Sequence, residues 1–230
     1  MATTTNYGWT TPDDTSLVKD GAAAIRTLGS SIDTSLVDLR GGTTGQVLRK
    51  QSNTQMDFEW AAPSSGLTLI NTTSFSAVSS QSINDVFSAT YNAYRIILDL
   101  SYSATGISLG LRLRVSGSDT SSAIYRKQTF NAFGTTVNAA RDLNETSWPN
   151  VAFAHTTTAN GGTSNNLEIY SPFEAKTTTA ITSRAFSPDA NIEAQFWFFG
   201  INSNTSFTGF TLIPDSGTIS GSVSVLGYNQ

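Results

Sequence analysis

The chain contains no cysteine, which excludes disulfide frameworks, thiolate zinc sites, cysteine nucleophiles and CxxC redox chemistry together. It has a single histidine, His155, so any Ser-His-Asp triad or metal-histidine site must pass through that one residue. Charge is scarce: only 13% of the residues are Asp, Glu, Lys or Arg, and the net charge is −4. Without an excess of basic residues there is no electrostatic footprint for a phosphate backbone, and nucleic acid is not an expected partner. Low charge also argues against a disordered chain, which usually combines weak hydrophobicity with high net charge. Long apolar runs are missing as well. The longest strongly apolar one, Phe196-Trp-Phe-Phe199, falls far short of the roughly 20 residues a membrane helix needs. The start, Met1-Ala-Thr-Thr-Thr-Asn-Tyr-Gly-Trp9, has neither the basic nor the apolar region of a signal peptide. Synthesis in a cytoplasm without membrane insertion is therefore expected.

What is present favours strands and turns. The 230 residues include 18 Gly and 6 Pro, and Ser with Thr exceeds a quarter of the chain. Thr is β-branched and suits a pleated surface, while Ser, Asn and Gly close turns. A length of 230 residues is enough for one large β domain or for a domain plus a smaller attachment segment.

Residues 13–39 carry the one helical pattern. Pro12, Asp13, Asp14, Thr15 and Ser16 offer capping oxygens and negative charge at its start. Val18, Ile25, Ile32 and Leu39 then recur every seven residues with Leu28 between them, while Lys19, Arg26 and Asp33 fall on other faces. The stripe is narrow, and Gly21 and Gly29 weaken the helix. Such a helix has to bury its stripe against its own chain or against copies of itself. Val18, Ile25, Leu28 and Ile32 are the candidate oligomerisation residues. Gly21 and Ser35 at alternate seam positions limit any coiled coil to a short, weak one.

Residues 41–66 form a hairpin and linker. Residues 46–50 read as a strand, 51–56 as a polar turn, and Asp57-Phe-Glu-Trp60 alternates polar with aromatic. A lone two-stranded unit is marginal in water, so Leu48, Phe58 and Trp60 need an outside surface.

Residues 67–230 show strand signals at 67–75, 93–103, 107–116, 123–131, 166–170, 175–186, 192–201, 206–213 and 218–228. Strict alternation in Leu111-Arg-Leu-Arg-Val115 and Ile192-Glu-Ala-Gln-Phe196 suits antiparallel sheets with one wet face. The expected fold is mainly β, an antiparallel jelly-roll-like β-sandwich preceded by a short helix (residues 1–40) and the hairpin. Residues 142–163 have weak periodicity and read as long loops, the usual home of binding residues.

Evident catalytic chemistry is sparse. His155 lacks local support, and no Gly-x-Ser-x-Gly elbow raises a nucleophile. Asp57 and Glu59 share a strand face in the hairpin, whereas the acids of the large domain are scattered and read as solvated faces and turn caps. No calcium loop is recognisable, and no cofactor is expected. Aromatic rings are the remaining binding chemistry. Of Trp148, Tyr125, Phe130 and Phe133, Trp148 in its expected loop is the leading candidate for receptor contact with Tyr125 beside it, and Phe130 reads as core.

Three segments carry a family resemblance. Tyr7-Gly-Trp-Thr-Thr-Pro-Asp-Asp-Thr-Ser-Leu-Val-Lys-Asp-Gly-Ala-Ala-Ala-Ile-Arg-Thr-Leu-Gly-Ser-Ser-Ile-Asp33 resembles the opening of structural proteins from tailed bacteriophages. Gly45-Gln-Val-Leu-Arg-Lys-Gln-Ser-Asn53, followed by Asp57-Phe-Glu-Trp60, is similar to a hairpin found after it in phage fibre proteins. Phe207-Thr-Gly-Phe-Thr-Leu-Ile213 with Gly217-Thr-Ile-Ser-Gly-Ser-Val-Ser-Val-Leu-Gly227 looks like the closing hairpin of phage jelly-roll tip domains. The resemblance implies a homotrimeric virion protein, made in the host cytoplasm. It would be held to other virion proteins by residues 1–62 and would display its β domain to a host surface glycan or protein. A tail or baseplate fibre is the leading reading; a head fibre or capsid decoration protein would use the same parts. A polysaccharide-degrading enzyme is the third.

Overall fold

A computed structural model describes residues 2–15, 17–63, 66–103, 107–154, 166–186 and 193–229. The protein is mainly β, with 54% strand and 10% helix, and falls into two compact units, Met1–Ser64 and Ser65–Gln230.

The first unit starts with a minimal antiparallel pair, β1 (Ala2–Thr3) and β2 (Thr10–Thr11), and continues into α1 (Val18–Ser35). The helix begins after Asp13, Asp14 and Thr15. Its N-cap is Leu17, in an extended conformation and with no side-chain cap, while the Asp13 carboxylate instead accepts from the Thr15 N–H and hydroxyl. At the other end a 3-10 turn over Val37–Leu39 takes Leu39 off the helical stripe. The hairpin pairs β3 (Val47–Lys50) with β4 (Phe58–Ala61) in the register Leu48 to Trp60 and Lys50 to Phe58. Gly42 sits under the Trp60 ring with φ +85°, and a Cβ there would lie 2.7 Å from the indole. Only glycine meets both demands without strain.

The second unit is a sandwich. Its strands are β5 (Leu67–Val78), β6 (Gln81–Ile83), β7 (Ala93–Tyr102), β8 (Ile107–Val115), β9 (Ser118–Asp119), β10 (Tyr125–Phe133), β11 (Thr136–Glu145) and β12 (Trp148–Ala154). They are followed by β13 (Asn166–Tyr170), β14 (Thr179–Phe186), β15 (Glu193–Ile201), β16 (Gly209–Pro214) and β17 (Ile219–Tyr228). One sheet has eight strands in the order β11-β10-β15-β14-β13-β7-β17-β5; the other runs β12-β8-β16-β6, with β9 added to β8. Every pairing among the described residues is antiparallel. The expected antiparallel sandwich after a helix and a hairpin is thus the fold observed.

The core lies between the sheets. Tyr94, Ile96 and Leu98 of β7, Leu167 and Ile169 of β13, Trp197 and Phe199 of β15, and Val223 and Val225 of β17 face Leu109, Leu111 and Leu113 of β8 and Phe210 and Leu212 of β16. These are alternate residues of each strand, as a period of two requires. Each buried aliphatic or aromatic side chain contributes about 1.5–3 kcal/mol. Gly221 marks a register shift on β17: with φ +134° it approaches so closely that a Cβ would stand 2.1 Å from the Asp99 carbonyl oxygen. On the five-stranded sheet, Arg114 ties β8, β9 and β16 together through Asp119 and Thr211 and reaches Ser82 of β6 and Asn84.

The expectation of long loops over residues 142–163 needs correction. Residues 142–145 and 148–154 are not loop: the first complete β11 and the second are β12. Thr146 and Ser147 form the bend between them, and residues 155–163, His155 included, lie outside the described residues.

Candidate functional site

The helix presents its stripe without covering it. No residue of α1 is buried; Val18 is 98% exposed and Ile25 64%, while Leu28 and Ile32 are half-buried. An apolar stripe facing water is unfavourable in proportion to its area. In the hairpin, Leu48 remains exposed, whereas Phe58 and Trp60 are half-buried. The Trp60 indole N–H is buried without a hydrogen-bond partner. Tyr7 and Trp9 stack at 4.9 Å, and the Trp9 indole donates to Ser35 Oγ at 3.1 Å. They border a polar groove of about 430 Å³ that also contacts Asp38 and Asp57.

In the β unit the two proposed receptor contacts turn out to be core. Trp148 is fully buried, because β12 pairs with β8 and its indole N–H donates across the sandwich to the Gly200 carbonyl at 3.1 Å. Its ring meets Tyr125 edge-on at 5.9 Å and Phe199 at 5.4 Å. Tyr125 is fully buried too. Its hydroxyl accepts from the Leu113 N–H at 2.9 Å and donates to the Thr120 carbonyl at 2.7 Å, and burial pushes its phenol up to about 12. Neither ring can stack on an external ligand from there.

Phe130, expected inside, is 52% exposed on the outer face of the eight-stranded sheet. In register with it stands Phe196, and Phe198 follows two residues along β15; both are 45% exposed. Val137 and Leu143 of the edge strand β11 are also exposed, at 60% and 47%. Further across the same face the Glu168 carboxylate accepts from the Tyr228 hydroxyl at 2.6 Å and the Tyr170 hydroxyl at 3.2 Å, with Arg95 at 3.9 Å. The bond to Glu168 raises the Tyr228 phenol; burial raises that of Tyr170.

Three of the scattered acids have structural partners, Asp119 with Arg114, Asp142 with Lys127 and Glu174 with Lys176, and in the hairpin Glu59 pairs with Arg49. Among the described residues no three His, Asp or Glu side chains converge on a possible metal position, and no helix is long and apolar enough to cross a membrane. What the described residues bring together is therefore apolar surface, a helix stripe in one unit and a phenylalanine face in the other. The second was missed because a strand with two apolar-looking faces does not announce which one is wet.

Comparison with protein-family models, with curated proteins and with solved structures gives no match.

Proposed function

We propose that the chain is a virion structural protein of a tailed bacteriophage, a short tail or baseplate fibre. In this reading residues 1–62 attach it to other virion proteins, residues 67–230 meet the host surface, and the working form is a homotrimer without a cofactor or hydrolytic step. The observation that carries the reading is the 18-residue helix with no buried residue, set in the segment whose sequence resembles phage virion proteins. A helix left that bare is built to be covered by other chains. The β unit, closed around its own core, suits a rigid displayed domain.

Immunogold labelling of purified phage particles with an antibody against the chain tests the reading. Label at the tail tip or baseplate is the expected result. Label on the head shell would replace the tail fibre by the head-fibre alternative, and particles free of label would overturn both.

A further inference from the structure

The outer face of β10, β15 and β14 sorts large and small side chains into adjacent rows. Phe130 and Phe196 stand side by side, with Phe198 next along β15. One step further along the strands, Ala132, Ala194 and Ala185 align across β10, β15 and β14. The result is a ridge of rings beside a trough of methyl groups, roughly 7 Å apart at two residues of strand rise. β11 extends the face at the sheet edge, and all its residues but Asp142 are exposed, Val137 and Leu143 at 60% and 47%. Leu143 and Phe198 border an open groove of about 270 Å³ whose polar lining includes Arg126, Gln128 and Arg141.

We propose that a second copy of this chain covers this face, seating its phenylalanine ridge in the alanine trough of its neighbour. The inference rests on reading the chain as self-associating and adds to the helix seam a second interface in the β domain. Two arguments select a copy of the chain over another occupant. Ridge and trough lie side by side on one surface, so the ridge of one copy can enter the trough of the next. The area is also of the right order. An aromatic side chain carries ~150–250 Å², so three half-exposed Phe with Val137 and Leu143 offer roughly 500 Å² of apolar surface. A standard interface takes ~800 Å² from each partner; the alanines and a rim of Arg126, Gln128 and Arg141 supply the difference.

Light scattering on the full chain tests the proposal in four proteins: the wild type, Ile25→Asp in the helix stripe, Phe130→Ser with Phe196→Ser, and all three substitutions together. The wild type should be an oligomer, Ile25→Asp should retain a mass above one chain at micromolar concentration, and the triple variant should be monomeric. Because the substituted phenylalanines are exposed, a cooperative melt near that of the wild type is expected to accompany the monomer. As a second reading, Ala139→Cys, the only thiol in the chain, should react with a maleimide at least several-fold more slowly in the assembled protein than in the triple-variant background. If Ile25→Asp alone gives monomers, the helix seam stands and the sheet-face interface falls. A wild type monomeric at every concentration removes both interfaces. Masses unchanged by the phenylalanine substitutions, combined with loss of cell or glycan binding, would assign the face to a host ligand and overturn the proposal.

Discussion

Every member of the buried core cluster belongs to residues 66–229, whereas α1 in the first unit, longer than any strand of the second, buries none of its residues. The two regions have similar means at their disposal: Leu, Ile and Val at regular spacing. They differ in what the spacing can reach. A strand with period two finds a facing sheet within the same chain, so Leu109, Leu111 and Leu113 are all fully buried. In the heptad stripe Val18 and Ile25 stay exposed and Ile32 is only half-buried. The β unit thus closes its core within one chain, while the helical unit leaves much of its apolar stripe exposed.

Removing the centre of the closed unit should have the largest effect. Trp148→Ala deletes a fully buried ring together with its bond to Gly200, and is expected to cost about 3–5 kcal/mol. That is a large share of the 5–15 kcal/mol typical of a whole domain, and urea denaturation will read it directly. A loss below about 1 kcal/mol would show that the indole is not packed as described.

Tyr125→Phe is the next in size. It leaves the buried Leu113 N–H without its acceptor, at a cost of about 1–3 kcal/mol. Tyr125 also gives the unit a pH limit. Its pKa is raised from 10.0 to about 12 in the fold, so the stabilisation it brings is complete below pH 10 and is lost as pH rises towards about 12. At 1.36 kcal/mol per unit this amounts to roughly 2–3 kcal/mol. The pH dependence of urea midpoints should become shallower over that range in Tyr125→Phe, with the other raised phenols keeping the rest of the slope; an unchanged alkaline slope would show that Tyr125 does not contribute.

How much of this was legible depended on whether alternation pointed to one face. In Leu111-Arg-Leu-Arg-Val115 it did, and the leucines are core. The span 166–170 was readable to the residue. In β10 the inner face is Tyr125, Lys127 and Thr129 and the outer face carries Phe130 and Ala132, so hydrophobicity selects the wrong side. β11 gives no signal because it is wet on both faces. β12 hides for another reason: Pro149 argues against a strand, and Asn150 has φ +57° with a register shift between Trp148 and Ala152. An edge strand tolerates both, and β12 is at the edge of its sheet. The stripe that marks Val18, Ile25, Leu28 and Ile32 was visible at once, yet the helix start was not, since Leu17 caps with its backbone alone.

Within the first unit a smaller effect is expected at Gly42. With φ +85° and the Trp60 ring 2.7 Å from the position of a Cβ, Gly42→Ala has to adopt a left-handed conformation that costs about 1–2 kcal/mol and displace the indole as well. Amide exchange over residues 46–61 should accelerate while the β-unit core amides keep their protection. Unchanged exchange in the hairpin would mean that the Gly42–Trp60 approach is not what holds it.

The smallest expected effect on stability is also the sharpest test of the contrast between the units. Ile25 is 64% exposed, so Ile25→Asp should alter the urea midpoint of the β unit by no more than about 0.5 kcal/mol, as exposed positions do. A charge in a shared apolar seam is a different matter, because association would bury it unpaired. The same substitution should therefore weaken self-association through the helix, seen as a lower average mass at a given concentration, while the β unit unfolds as before. A large drop in the β-unit midpoint would show that the stripe is covered by its own chain, and the distinction between a self-sufficient sandwich and an open helix would be lost.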